Sequence, residues 1–182
     1  MLMQRRKNEN TTATIAADAV VCEEATLEGS ITIGPRCIVH PKATIIAKDG
    51  PIVIGESNLI EEQTKIINRN LPGTEGNSPL IIGDNNLFEV GSEFEGKFIG
   101  SNNVLEAKAK VGPLTTLSNG CTVGSSVHLN AAERLPDNTV ICGKDYLRQH
   151  ARDKPAHQGQ QLDFLKKILP NYHFLIKSKK HA

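Results

Sequence analysis

From Ile15 onward an aliphatic residue recurs at every sixth position: Ile15, Val21, Leu27, Ile33, Val39, Ile45. The series breaks, resumes at Ile54, Ile60 and Ile66, breaks again, and returns at Ile82, Phe88 and Phe94. It then runs unbroken through Ile99, Leu105, Val111, Leu117, Val123 and Leu129. A period of six fits neither an amphipathic helix nor a single alternating strand. It is the hexapeptide pattern of a solenoid. Four places after the aliphatic stands a small residue or Asn, as at Ala19, Cys37, Asn58, Asn86, Asn103 and Cys121. Glycine often follows the aliphatic directly, as at Gly34, Gly55, Gly83 and Gly100.

Each hexad supplies one short strand and a bend, and three hexads close a triangular coil. Coils stack by parallel strand pairing about 4.8 Å apart. The pattern predicts an all-β solenoid, a left-handed parallel β-helix of about six triangular coils with a C-terminal α-helix. The coils begin at Ile15, Ile33, Ile54, Ile82, Ile99 and Leu117, and Leu135 to Gly143 forms a partial closing rung. The small slot leaves room for its neighbours, and glycine is expected to relax the backbone at the bend. The breaks near residues 47–53 and 68–79 carry Gly and Pro and read as loops extruded at a corner.

These readings divide the chain into a disordered tail at 1–14, the prism at 15–143, a helical segment at 144–176 and a basic tail at 177–182. The helix is expected over Gln160 to Leu169, with Leu162, Phe164, Leu165, Ile168 and Leu169 apolar. Pro170 should end it, and a second short turn should follow over residues 171–177. Unpaired strand edges at the ends of a solenoid invite aggregation. The helical segment follows the last rung directly, so it is expected to pack on the C-terminal part of the prism and to help form a partner contact.

Composition sharpens this picture. Aromatic residues make up 4% and Trp is absent, which suits a thin prism with no space for large rings. Net charge is +1, so no global field draws the chain to nucleic acid or an anionic membrane. Arg5, Arg6, Lys7, Lys177, Lys179 and Lys180 concentrate positive charge at the two ends. No apolar run approaches the roughly 18 residues a membrane helix needs, and Met1-Leu2-Met3 runs at once into polar residues, unlike a signal peptide. Cys22, Cys37, Cys121 and Cys142 form no CxxC pair, which points to inert packing in a reducing, cytosolic setting.

β-Helices of this kind serve as acyltransferases, γ-class carbonic anhydrases or binding subunits, and the fold alone does not choose. The anhydrase needs three imidazoles around one zinc. Only His40 and His128 lie in the coils, and Asn119 stands where an imidazole would precede Gly120-Cys121. An acyltransferase needs a histidine base, for which His40 is the candidate, yet no carboxylate has a clear claim to orient it. The sequence thus assigns no catalytic residue, no metal ligand and no cofactor. Two ladders remain. Asn58, Asn86 and Asn103 hold one slot in successive coils, as stacked amides do. Glu61, Glu89 and Glu106 hold another, either solvated beside Lys65 and Lys108 or meeting a basic partner. With Phe164, Leu165 and Tyr172 these glutamates form the expected partner interface.

Several segments carry more than the repeat, above all Gly50-Pro51-Ile52-Val53-Ile54-Gly55-Glu56 and Leu169-Pro170-Asn171-Tyr172-His173, which no repeat rule demands; beside them stand Ile33-Gly34-Pro35-Arg36, Val39-His40-Pro41-Lys42-Ala43 and Asn58-Leu59-Ile60-Glu61-Glu62-Gln63. Phe88-Glu89-Val90-Gly91, Gln161-Leu162-Asp163-Phe164-Leu165 and Ile168-Leu169-Pro170-Asn171-Tyr172-His173 continue the set. In these the chain resembles the small β-helix subunits of the dynactin pointed-end complex, over roughly residues 15 to 176. The resemblance implies a non-enzymatic subunit that supports dynein-driven transport along microtubules. It implies partners among the other pointed-end subunits, especially the fifth, also a β-helix, and indirectly dynein and cargo adaptors. It implies a place in the cytoplasm, on the microtubule cytoskeleton. The alternative is a hexapeptide-repeat enzyme working as a homotrimer.

Overall fold

The sixth-position aliphatics point inward and merge into one continuous core running the length of the molecule. The computed structural model describes residues 11–71, 76–153, 155–156 and 158–176. Within them the chain forms the left-handed parallel β-helix that the hexads predict, with three sheets of seven, eight and six strands. Sheet A runs from Thr12–Ile15 to Glu133–Leu135, sheet B from Val20–Val21 to Thr139–Cys142, and sheet C from Thr26–Glu28 to His128–Leu129. The register is the sequence period made visible. Ile33 lies beside Ile54, then Ile82, Ile99, Leu117 and Leu135. Phe88 and Phe94 share one level, edge to face at 6.3 Å.

The closing rung is partial, as expected: Leu135 and Ile141 continue the buried columns of sheets A and B, and the third sheet ends at His128–Leu129. Two expectations change. The first strand begins at Thr12, inside the stretch assigned to the tail; residues 1–10 and 177–182 lie outside the described residues. The glycines after the aliphatics do not make the bends. A Cβ on Gly83 would meet the Gly100 carbonyl oxygen and Ser101 Oγ, each at 2.6 Å, so glycine is required there by close stacking. The left-handed turn falls two residues later, at Arg36, Ser57, Asn85 and Asn102, all with φ between 55° and 60°.

The Asn column is a continuous buried ladder. Asn58 Oδ1 accepts the backbone N–H (2.9 Å) and the side-chain amide (3.0 Å) of Asn86. Asn86 Oδ1 does the same for Asn103, and Asn103 Oδ1 accepts the Cys121 N–H at 2.8 Å. Cys37 and Cys121 end the column by donating to the carbonyls of Gly55 and Pro136.

Both ends of sheet B are closed by the chain itself. At the C-terminal end Leu147–His150 turns back and pairs antiparallel with Thr139–Cys142. Arg148 holds Glu133 through two hydrogen bonds of 2.6 and 2.8 Å, which keeps the Glu133 carboxyl below the usual range. This antiparallel rung has no hexad signature and escaped the sequence reading. At the other end lies α1 (Gly159–Tyr172). It packs on the first coils, not on the C-terminal part as expected. Leu162 and Leu169 are buried against Val20, Ile38, Leu59 and Leu87 on the outer face of sheet B. That face carries aliphatics where sheet C carries Lys65, Glu93 and Lys110, so it can seat the apolar side of the helix. Arg36–Asp163 (3.0 Å) and Lys166–Asp18 (3.9 Å) flank the contact.

Pro170 lies inside α1 and does not end it. The bond it forfeits is to the carbonyl of Lys166, a solvent-facing residue, so the last turn survives. Beyond it the chain is extended, not turned. Leu175 pairs antiparallel with Cys22, Glu23 N–H donates to the Phe174 carbonyl, and Ile176 N–H donates to the Val21 carbonyl. Ile176 packs against the end of the core.

Two substitutions test this frame. Ile60→Asp puts an uncompensated charge in the dry core and should abolish folding, read by loss of the β signal in far-UV circular dichroism. Asn86→Ala leaves the Asn103 donors unmet and should lower unfolding free energy by about 2–4 kcal/mol in urea titration.

Candidate functional site

The column directly after the inward aliphatic of sheet B reads Cys22, His40, Glu61, Glu89, Glu106 by register. Glu61 accepts the Val90 N–H at 3.1 Å, Glu89 the Ala107 N–H at 2.9 Å, and Glu106 the Ser125 N–H at 2.9 Å. Each carboxylate thus satisfies a bend amide of the next coil. The spacing of the glutamates did not show this role, and Lys65 turns to Glu93 at 3.0 Å. Burial pushes the Glu61 carboxyl up, against the Val90 amide and His40, which act downward.

His40 does have an orienting carboxylate, contrary to the sequence reading. Its Nδ1 lies 3.0 Å from Glu62 Oε1. Spacing hid this pair, because Glu62 reaches His40 only through coil stacking. A base oriented in this way would act through Nε2. That atom is buried and has no hydrogen-bond partner, and His40 is only 9% exposed. With its Nε2 covered, the dyad offers no open reaction centre. Asn119 is engaged structurally: its Oδ1 accepts the Ser101 N–H and its own N–H donates to Asp137, both at 2.8 Å. Among the described residues no group of three His, Cys, Asp or Glu is placed to hold a metal ion.

The outer faces differ. Sheet C is charged: Glu93 sits 3.0 Å from Lys65 and 3.3 Å from Lys110, and Arg69 pairs with Glu95. Burial acts upward on the Glu93 carboxyl, but the two lysines outweigh it and hold it low. A groove of about 210 Å³ on this face, lined by Glu93, Lys110, His128 and Asn130, is smaller than the usual ligand pocket. Sheet B carries α1. Among the described residues no helix covers sheet A, and Val53, Ile81 and Phe98 stand in one row at 38%, 36% and 39% exposure. On α1, Leu165 packs inward while Phe164 and Tyr172 are exposed. The sequence reading found the helix residues and missed the sheet A row, since its alternation within each strand is short.

Comparison with known proteins places the chain. It is 54% identical over 174 residues to Dynactin subunit 6 of Danio rerio, covering 92% of this chain and 89% of the relative. It is 35% identical over 178 residues to Dynactin subunit 6 of Caenorhabditis elegans, covering 94% and 93%.

The chain belongs to the dynactin subunit 6 family.

No protein-family model matches it. Among solved structures it is similar in fold to a hexapeptide transferase family protein from Anaplasma phagocytophilum, with TM-score 0.65 and 13% identity over 88% of each chain. At that identity the likeness shows the solenoid alone.

Two measurements test the site. Glu89→Gln keeps an acceptor for Ala107 and should leave the melting temperature nearly unchanged, whereas Glu89→Ala should cost about 1–2 kcal/mol. Elemental analysis of the purified chain should find no stoichiometric zinc; about one zinc per chain would contradict the assignment of Asn119.

Proposed function

We propose that this chain is a non-enzymatic subunit of the dynactin pointed-end complex. The family assignment carries this reading, and the site chemistry agrees with it. The His40–Glu62 pair has its working nitrogen covered, and the glutamate column serves the fold. What remains open to a neighbour is shape and apolar area. The partners are the other pointed-end subunits, above all the fifth, a β-helix, with dynein and cargo adaptors reached indirectly. The setting is the cytoplasm, on the microtubule cytoskeleton.

The contact surface we propose joins the Val53, Ile81 and Phe98 row to the exposed aromatics Phe164 and Tyr172, with Leu165 anchoring the helix beneath. Glu61, Glu89 and Glu106 set the charge of the corner between sheets B and C and contribute through that field. An uncharged flat row excludes water from a partner without the desolvation cost of unpaired ions.

Tagged chain expressed in cells should co-fractionate with dynactin, and the chain alone should run as a monomer. Ile81→Glu and Phe98→Glu should keep the fold and lose at least about tenfold in recovery of the complex. A homotrimer with acyl-transfer activity would favour the enzyme reading instead.

A further inference from the structure

The outward column of sheet A reads Thr32, Val53, Ile81, Phe98, Thr116, Arg134 by register. It is uncharged until the last rung, where Arg134 ends it. Leu114, 45% exposed, widens the apolar area at the corner that leads into Thr115–Leu117. Side chains of one column repeat about every 4.8 Å. Apolar contact along such a column is non-directional, so a partner shifted by one coil would meet nearly the same surface. An interface built on it needs a polar contact to fix its register.

Arg134 has the properties of that contact. Its Nε donates to Ser118 Oγ at 3.0 Å, and Ser118 is buried, so the guanidinium is anchored to the preceding coil. The carboxylates nearest to it in the chain are taken. Glu133 is held by Arg148 through two hydrogen bonds, and Asp137 accepts the Asn119 N–H at 2.8 Å. Among the described residues Arg134 makes no ion pair, whereas Arg36, Arg69 and Arg148 each do. Its two Nη groups are left as a planar fork held at one end, the shape that takes a carboxylate through two parallel hydrogen bonds. A polyanion matches this face poorly. Nucleic acid or an anionic membrane is held by several cations together, and the column offers one.

We propose, resting on the reading of sheet A as the contact surface within dynactin, that Arg134 sets the register of that contact. Its fork takes a carboxylate of a protein partner whose apolar face covers Val53, Ile81 and Phe98. A partner shifted by one coil would bring its carboxylate to Thr116 or past the last rung. Both charges would then lie unpaired beside a contact that excludes water, which is costly.

The test uses the tagged full chain expressed in cells and recovery of the other dynactin subunits. Arg134→Glu should keep the fold, read by far-UV circular dichroism, and lower recovery at least about tenfold. Lys144→Glu, an equal change of charge at the solenoid end, should leave recovery unchanged. Arg134→Lys keeps the charge and loses the fork, so recovery should fall only about two- to fivefold. That variant also locates the partner group, because a carbodiimide joins an amine directly to a carboxylate in contact with it. Mass spectrometry should find the peptide holding position 134 linked to an Asp or Glu of another dynactin subunit. The proposal is overturned if Arg134→Glu is folded and recovers dynactin at the wild-type level, or if Lys144→Glu causes an equal loss. It is equally overturned if the link does not form, or runs only to Glu133 or Asp137 of the same chain. Should Arg134→Glu fail to fold, the carbodiimide link decides. A wild-type chain that recovers no dynactin would instead overturn the dynactin reading, and the role of Arg134 with it.

Discussion

A rung of this prism hydrogen-bonds only to the rungs above and below it. The fold can therefore be extended without limit, and the chain must supply something to stop it. Leu147–His150 reverses direction and closes sheet B at one end, locked by Arg148 on Glu133. Phe174 to Ile176 closes the other end, after α1 has carried the chain back along the outside of the prism. The two closures make the solenoid a finite molecule. They also decide which faces remain for other proteins, because the arm takes sheet B.

The same stacking explains the fate of the polar side chains. A residue repeated in one slot meets its own kind about 4.8 Å away. Asn tolerates this, since each amide is donor and acceptor, and the buried column from Asn58 to Asn103 is the result. Glu does not tolerate it unless each carboxylate finds a donor, and the bend amides of Val90, Ala107 and Ser125 supply one. Chemistry that looks available in the sequence is consumed by the stack.

Much of this was legible in the sequence, because period six in the aliphatics is a direct image of the coil. Coil starts, core columns and the Asn ladder follow from it. What the period could not reveal is contact between distant segments that obey no repeat. The pairing of Leu175 with Cys22 depends on how far α1 reaches along the prism, and no spacing encodes that. His40 and Glu62 are joined only by the offset between coils. The glycine column was read for the right residues and the wrong reason, since close stacking and left-handed φ both favour glycine and are indistinguishable in one dimension. The Val53, Ile81 and Phe98 row was present in the sequence, but a single outward residue per short strand carries too little alternation to stand out.

With these carboxylates and amides engaged internally, the contact surface proposed for other proteins is the apolar row of sheet A. Hydroxyl-radical footprinting of side chains, on the free chain and on the same chain within purified dynactin, tests that claim most directly. The account predicts that oxidation of Ile81 and Phe98 falls several-fold in the complex while that of Leu147 at the solenoid end does not. Equal oxidation of Ile81 and Phe98 in both states, with protection elsewhere, would contradict it.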